Sequence, residues 1–136
     1  MLQWLRRRAR GRINSNLAAY LRANYTPAQV LPERGLFNFR CHENSVEWHR
    51  LHPDHAVVEV IYLDEGEPIL HYVVRDPAGR LLEVTLGWRA TELQYFVIRD
   101  IVQPFNIHKE FTSSMEYWTK RFTTRFDRLI GIDRAV

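Results

Sequence analysis

The stretch "LHYVVRDPAGRLLEVT", Leu70 to Thr85, reads as a β-hairpin whose turn decides which side chains share a face. Pro77 and Ala78 suit the central positions of a type I turn, and Gly79 suits the left-handed position of a G1 bulge. A three-residue loop of that kind pairs Asp76 with Arg80, Arg75 with Leu81, Val74 with Leu82, Val73 with Glu83 and His71 with Thr85. Directly opposed residues share a face, and so do residues two apart along a strand. His71, Val73, Glu83 and Thr85 therefore line one face. Leu70, Tyr72, Val74, Leu82 and Val84 line the other, an apolar set suited to packing on helices. On the first face an imidazole and a carboxylate stand diagonally, with Cα atoms roughly 7–8 Å apart. A two-residue loop would instead oppose His71 to Val84 and turn Glu83 away.

Strand signals continue on both sides of the hairpin. "AVVEVIYL" (56–63) is rich in β-branched residues and is followed by the turn "DEG"; "LQYFVIRDI" (93–101) follows the hairpin. Residues 14–24 read as a helix capped by Asn14 or Ser15, with Leu17, Tyr20 and Leu21 on one face. "YTPAQVLPERGLFNF" (25–39), with two prolines and a glycine, reads as a connecting loop. A second helix is expected from Cys41 to His52, ending before Pro53. From His108 to Ile130, Phe111, Met115, Trp118, Phe122, Phe126 and Leu129 recur at steps of three and four, the pattern of one long amphipathic helix with a core-facing stripe. The expected fold is α+β: N-terminal helices and the long C-terminal helix packed on an antiparallel sheet of three to four strands.

A chain of 136 residues with 46% hydrophobic and 26% charged residues is large enough for one domain with its own core. The net charge of +3 is unevenly placed. Arg6, Arg7, Arg8, Arg10 and Arg12 are five of the 19 basic residues, which leaves 14 against 16 acidic ones beyond position 12. Residues 1–13 are accordingly read as a basic N-terminal tail, open to weak contact with nucleic acid or an acidic surface, and residues 14–136 as a single domain. The body shows no basic stripe interleaved with aromatics, and no run approaches the roughly 20 apolar residues of a membrane span. The start lacks the apolar core of a secretory signal, and one cysteine excludes a disulfide framework. A reducing, cytoplasmic setting is expected.

That cysteine, Cys41 in "FNFRCHENSVEW", stands where the second helix begins. Cysteine attacks as a thiolate; an ordinary thiol titrates near 8.5, and both a helix N-terminus and a nearby imidazolium lower that value. Cys41 has the first device, His71 can supply the second, and Glu83 can orient the ring. A "C-H-x-N" helix start (Cys41, His42, Asn44), an "H-[AY]-x-V" strand (His71, Tyr72, Val74), a D-x-x-G turn (Asp76, Gly79) and an acid-x-Thr strand (Glu83, Thr85) together resemble the papain-like and transglutaminase-like cysteine hydrolase fold over roughly residues 36–88.

The resemblance implies a nucleophile at Cys41, a general base and acid at His71 and an orienting acid at Glu83. It implies action on a peptide, isopeptide or other amide bond of a protein, a peptide or another amide-containing substrate, by hydrolysis or by acyl transfer, and no metal or organic cofactor. The sequence departs from the pattern in having Glu where Asp or Asn is commoner. It also has Gly35 six residues before the cysteine, where no oxyanion-stabilising Gln is found. Asn38 or backbone amides at the helix start would take that place, with Asn44 and Thr85 in support. A non-catalytic binding or adaptor module on the same fold is the second reading.

His49 and His52, three apart, are the one spacing that invites a metal, but no second ligand pair accompanies them. His42 and Glu43 are expected to face water, with Asn44, Ser45 and Trp48 nearer the site.

Overall fold

The computed structural model describes residues 1–36 and 38–136. Helix α1 (Leu2–Asn24) leads into two short strands, β1 (Pro27–Ala28) and β2 (Val30–Pro32). Helix α2 (Cys41–Leu51), strands β3 (Ala56–Asp64), β4 (Glu67–Arg75), β5 (Leu81–Glu83) and β6 (Gln94–Asp100), and helices α3 (Ile107–Phe122) and α4 (Arg125–Leu129) complete the chain. The protein is α+β, but its sheet has six strands rather than three or four. Their order is β1-β6-β3-β4-β5-β2 and the sheet is mixed, because β2 runs parallel to β5.

The two outermost strands are separated in sequence by Gln29 alone. In a flat six-stranded sheet those edges would lie about 24 Å apart, whereas the Cα atoms of Ala28 and Val30 can be separated by no more than about 7 Å. The sheet must therefore curl until its edges approach. Pro27 and Pro32 give this segment the look of a loop in the sequence, but both strands are edges, where a missing N–H costs no ladder bond.

Curling gives the sheet an inside and an outside. Val58, Val60, Tyr62, Val73, Leu81 and Tyr95 meet inside with Val30 and Leu86. Outside, Ile61, Leu63, Leu70 and Phe96 pack against Ile13, Leu17 and Leu21 of α1 and Trp118 of α3. The hairpin register is Val74 opposite Leu82 and Arg75 opposite Leu81. Its loop is closed by Asp76, whose N–H donates to the Arg80 carbonyl (3.0 Å) and whose carboxylate accepts from the Arg80 N–H (2.9 Å). Gly79 supplies the positive φ of 86° that the bulge requires. The ladder is shorter than the sequence suggests: β5 ends at Glu83, Val84 and Thr85 bend away, and Leu86 bridges to Gly35.

Two helical expectations are corrected. Residues 1–13 are not a tail: residues 2–13 form the first half of α1, which spans 23 residues. The arginines hold it to the C-terminal segment, Arg6 donating to the Ile130 carbonyl, Arg10 to that of Arg134, and Arg12 to Asp127 at 2.6 Å. The long C-terminal helix is two helices, broken at Thr123 and Thr124. Thr124 caps α4, accepting from the Asp127 N–H while Asp127 accepts from the Thr124 N–H. The apolar stripe breaks there too: Phe111, Met115, Trp118 and Phe122 face the core, whereas Phe126 and Leu129 are 54% and 83% exposed. Among the described residues no helix is long and apolar enough to cross a membrane.

Candidate active site

Inside the curl, His71 and Glu83 are 4% and 0% exposed. His71 Nε2–H donates to the Glu83 carboxylate at 2.9 and 3.1 Å. A buried carboxylate without partners costs several kcal/mol. Glu83 is surrounded instead by donors: the Tyr95 hydroxyl at 2.7 Å and the backbone amides of Thr85 and Leu86 at 3.0 and 3.1 Å. The bend after β5 is what turns those two amides back onto the carboxylate.

Burial alone would raise the Glu83 carboxyl, but the His71 ring, the Tyr95 hydroxyl and the Thr85 amide outweigh it and hold the group below its ordinary range. Burial likewise works against a charged His71. The Glu83 carboxylate and the Cys41 sulfur overcome it, and the imidazolium is stabilised to a pKa of about 10. The ring of Tyr62 meets that of His71 edge-on, with centroids 5.2 Å apart.

Cys41 comes from the outside of the sheet. It is the first residue of α2, so its amide precedes the first intrahelical bond, from Asn44 N–H to the Arg40 carbonyl. Helix α2 packs on the outer residues Val57 and Tyr72. It reaches the inner pair where β5 leaves β4, and Cys41, His71, Thr85 and Leu86 line one cavity of about 360 Å³. Side chains of α2 stitch both margins of that opening. Ser45 Oγ donates to the Tyr72 carbonyl (3.3 Å), and Asn44 Nδ2 donates to Thr85 Oγ1 (3.1 Å) and to Asn38 Oδ1 (3.0 Å). With Nε2 committed to Glu83, Nδ1 is the ring nitrogen left for the sulfur.

No family model, curated protein or solved structure matches this chain.

The site geometry brings together Cys41, His71, Glu83, Asn44 and Thr85. Asn38 is exposed, and its Oδ1 accepts from the Arg40 N–H (3.1 Å) as well as from Asn44. It is tied into the entry of α2, and the cavity wall beside Cys41 is formed by Phe39 and Thr85 instead. His42 is half-buried rather than fully solvated: its ring packs on Tyr72 and Phe111, and its Nδ1 lies 3.3 Å from that of His108. Burial, and then the neighbouring His108, keep its pKa below the ordinary value.

Trp48 lies away from the site, stacked on His52 and donating to His55 Nδ1 at 3.1 Å. His49 Nδ1 donates to the His55 carbonyl at 2.7 Å, and among the described residues no group of three or more His, Cys, Asp or Glu is arranged to hold a metal. Tyr95 and Tyr62 escaped the sequence reading. Alternation in "LQYFVIRD" puts Tyr95 and Val97 on one face, but only the strand order, with β3 between β4 and β6, carries that face to Glu83.

Proposed function

We propose that the chain is a small papain-like cysteine hydrolase or acyl-transfer enzyme acting on amide, peptide or isopeptide bonds. The observation that carries this reading is the buried His71–Glu83 pair opening onto the cavity that the first residue of α2 lines. The His71 imidazolium and the N-terminal end of the α2 dipole both bring positive charge toward the Cys41 sulfur.

In the reaction, Cys41 Sγ adds to the substrate carbonyl carbon. The C–N bond breaks, His71 donates its proton to the departing amine, and an acyl thioester remains on Cys41. His71 then takes a proton from water, whose oxygen adds to the thioester carbonyl and displaces the sulfur, giving a carboxylic acid and the Cys41 thiolate beside the restored imidazolium. An amine in place of water gives transfer. Glu83 keeps the ring in one tautomer and one orientation throughout. The Cys41 amide, not spent inside α2, is placed for the carbonyl oxygen as it becomes negative. The chemistry needs no metal or organic cofactor, and it suits the reducing cytoplasm, where a lone thiol stays reduced. The substrate would be a protein, a peptide or another amide.

The test is iodoacetamide labelling of Cys41 between pH 5 and 8, followed by intact mass. Labelling of the wild type at pH 6 should be at least about tenfold faster than that of His71→Ala. Equal rates in the two proteins would show that the pair does not activate the thiol, and would leave the domain as a binding or adaptor module.

A further inference from the structure

Phe39 stands two residues before Cys41 with φ of 55°, and its side chain is 77% exposed. Left-handed backbone is strained for a bulky residue, and glycine would take it freely. The chain needs the turn to enter α2, but the fold makes little use of the aromatic ring that sits there. The ring lies at the rim of the cavity containing Cys41 and His71, and Ile69, Leu70, Leu86, Phe111 and Met115 supply apolar wall behind it. Asp64 and Arg89 also line this cavity but close on each other at 2.9 Å, which cancels their charge. Arg134 adds an exposed cation to the lining.

We propose that this cavity is the acyl subsite, and that it takes an amide whose acyl side carries a large apolar side chain, aromatic or leucine-like, held between Phe39 and the wall of Leu70, Phe111 and Met115. The proposal rests on the cysteine-hydrolase reading for the position of the scissile carbonyl. Its own content is a binding preference. The cavity's volume lies at the small end of sites for organic ligands, matching one large side chain and the amide that follows it. Phe39 supplies flat apolar area with few rotatable bonds to immobilise.

The test is an NMR titration of the wild-type chain and of Phe39→Gly with the N-acetyl primary amides of phenylalanine, leucine, glycine and aspartate. The same spectra report any cleavage to the acid and ammonia, so binding and turnover are read separately. In the wild type the phenylalanine and leucine amides should bind roughly tenfold or more tighter than the glycine amide, as burial of one large side chain implies. Phe39→Gly should lose most of that preference while its thermal midpoint stays level or rises, since the substitution relieves the backbone. A preference that survives Phe39→Gly would overturn the role given to Phe39. Equal binding of all four amides would overturn the subsite, and tightest binding of the aspartate amide would do so in favour of Arg134. Apolar preference without cleavage or rapid labelling of Cys41 would keep the subsite and remove the hydrolase reading.

Discussion

Glu59 on β3 and Glu83 on β5 are both fully buried carboxylates, but they lie on opposite faces of the same curled sheet. Each accepts a tyrosine hydroxyl: Tyr72 donates to Glu59 at 2.9 Å and Tyr95 to Glu83 at 2.7 Å. They part in their remaining partners. Glu59 faces the helices, where Ser114 Oγ of α3 lies at 2.9 Å and Arg99 at 3.3 Å, and Arg99 reaches on to Glu110 at 2.8 Å. The cluster ties α3 to the sheet. Glu83 faces an imidazole that opens onto a cavity with a thiol. A buried carboxylate is thus no sign of a site by itself. What marks Glu83 is an imidazole partner that can carry a transferable proton and has a second face toward open space.

The largest effects should separate the faces by kind. Cys41→Ala and His71→Ala should each lower kcat/KM on a cleaved amide by roughly 10⁴-fold or more, the scale on which nucleophile and base act as a unit. Cys41→Ala should keep a thermal midpoint close to that of the wild type, whereas His71→Ala, which leaves the buried Glu83 carboxylate without its ion-pair partner, should lower it. A Cys41→Ala protein that unfolds, or one that keeps its activity, would make the thiol a packing residue.

On the outer face the order should invert. Glu59→Ala takes the acceptor from the Tyr72 and Ser114 hydroxyls and leaves Arg99 with only Glu110 and Ser114 Oγ, and removing one member of a buried charged cluster costs about 3–5 kcal/mol. Urea unfolding should show that loss. At temperatures where the variant is still folded, its labelling of Cys41 at pH 6 should match the wild type. A variant that kept full stability but lost activity would move Glu59 into the site.

How far this contrast was legible in the sequence depends on how local its determinants are. The face shared by His71 and Glu83 follows from one turn, and "DPAG" states that turn outright. The start of α2 follows from Cys41 standing between a loop and a proline-limited helix. Glu59 gave no such signal: alternation in "AVVEVIYL" sets it beside Val57 and Ile61, and its partners Ser114 and Arg99 lie 55 and 40 residues away. The edge strands hid behind prolines, and the curl depends on a pairing order that no single segment encodes. Arginines at positions 6, 10 and 12 looked like a solvated run because their acceptors, two carbonyls and Asp127, are at the far end of the chain.

The pH dependence of stability should also divide the faces. Folded His71 titrates near 10, against about 6.5 for the unfolded chain, so the stabilisation from its pair with Glu83 is whole below about 6.5 and is lost as pH climbs through 10. Glu83 works the other way at the acid end. Its folded value is depressed, so its contribution is present above the ordinary carboxylate range and fades as pH falls below it. Urea midpoints measured from pH 6 to 10 should therefore converge between wild type and Glu83→Gln as the pH rises. A gap of constant size across that range would mean that His71 is neutral in the folded protein.

The smallest effects come from the matched pair Tyr72→Phe and Tyr95→Phe. Each removes one hydroxyl that donates to a buried carboxylate, a bond worth about 1.5–3 kcal/mol at a charged acceptor. Each leaves that carboxylate with other donors, so the loss should fall at or below the lower end of that range in both. Their stabilities should be nearly equal, and only their pH profiles should differ. Tyr95→Phe takes a donor from Glu83, so the carboxylate pulls harder on His71, and the alkaline limb of kcat/KM should move to higher pH. Tyr72→Phe touches Glu59 and the floor under α2, so it should lower the height of the profile without moving either limb. If both variants move the limb, the two carboxylates communicate through the sheet. If neither does, the Tyr95 hydroxyl is a packing contact like its counterpart, and the distinction between the faces rests on His71 alone.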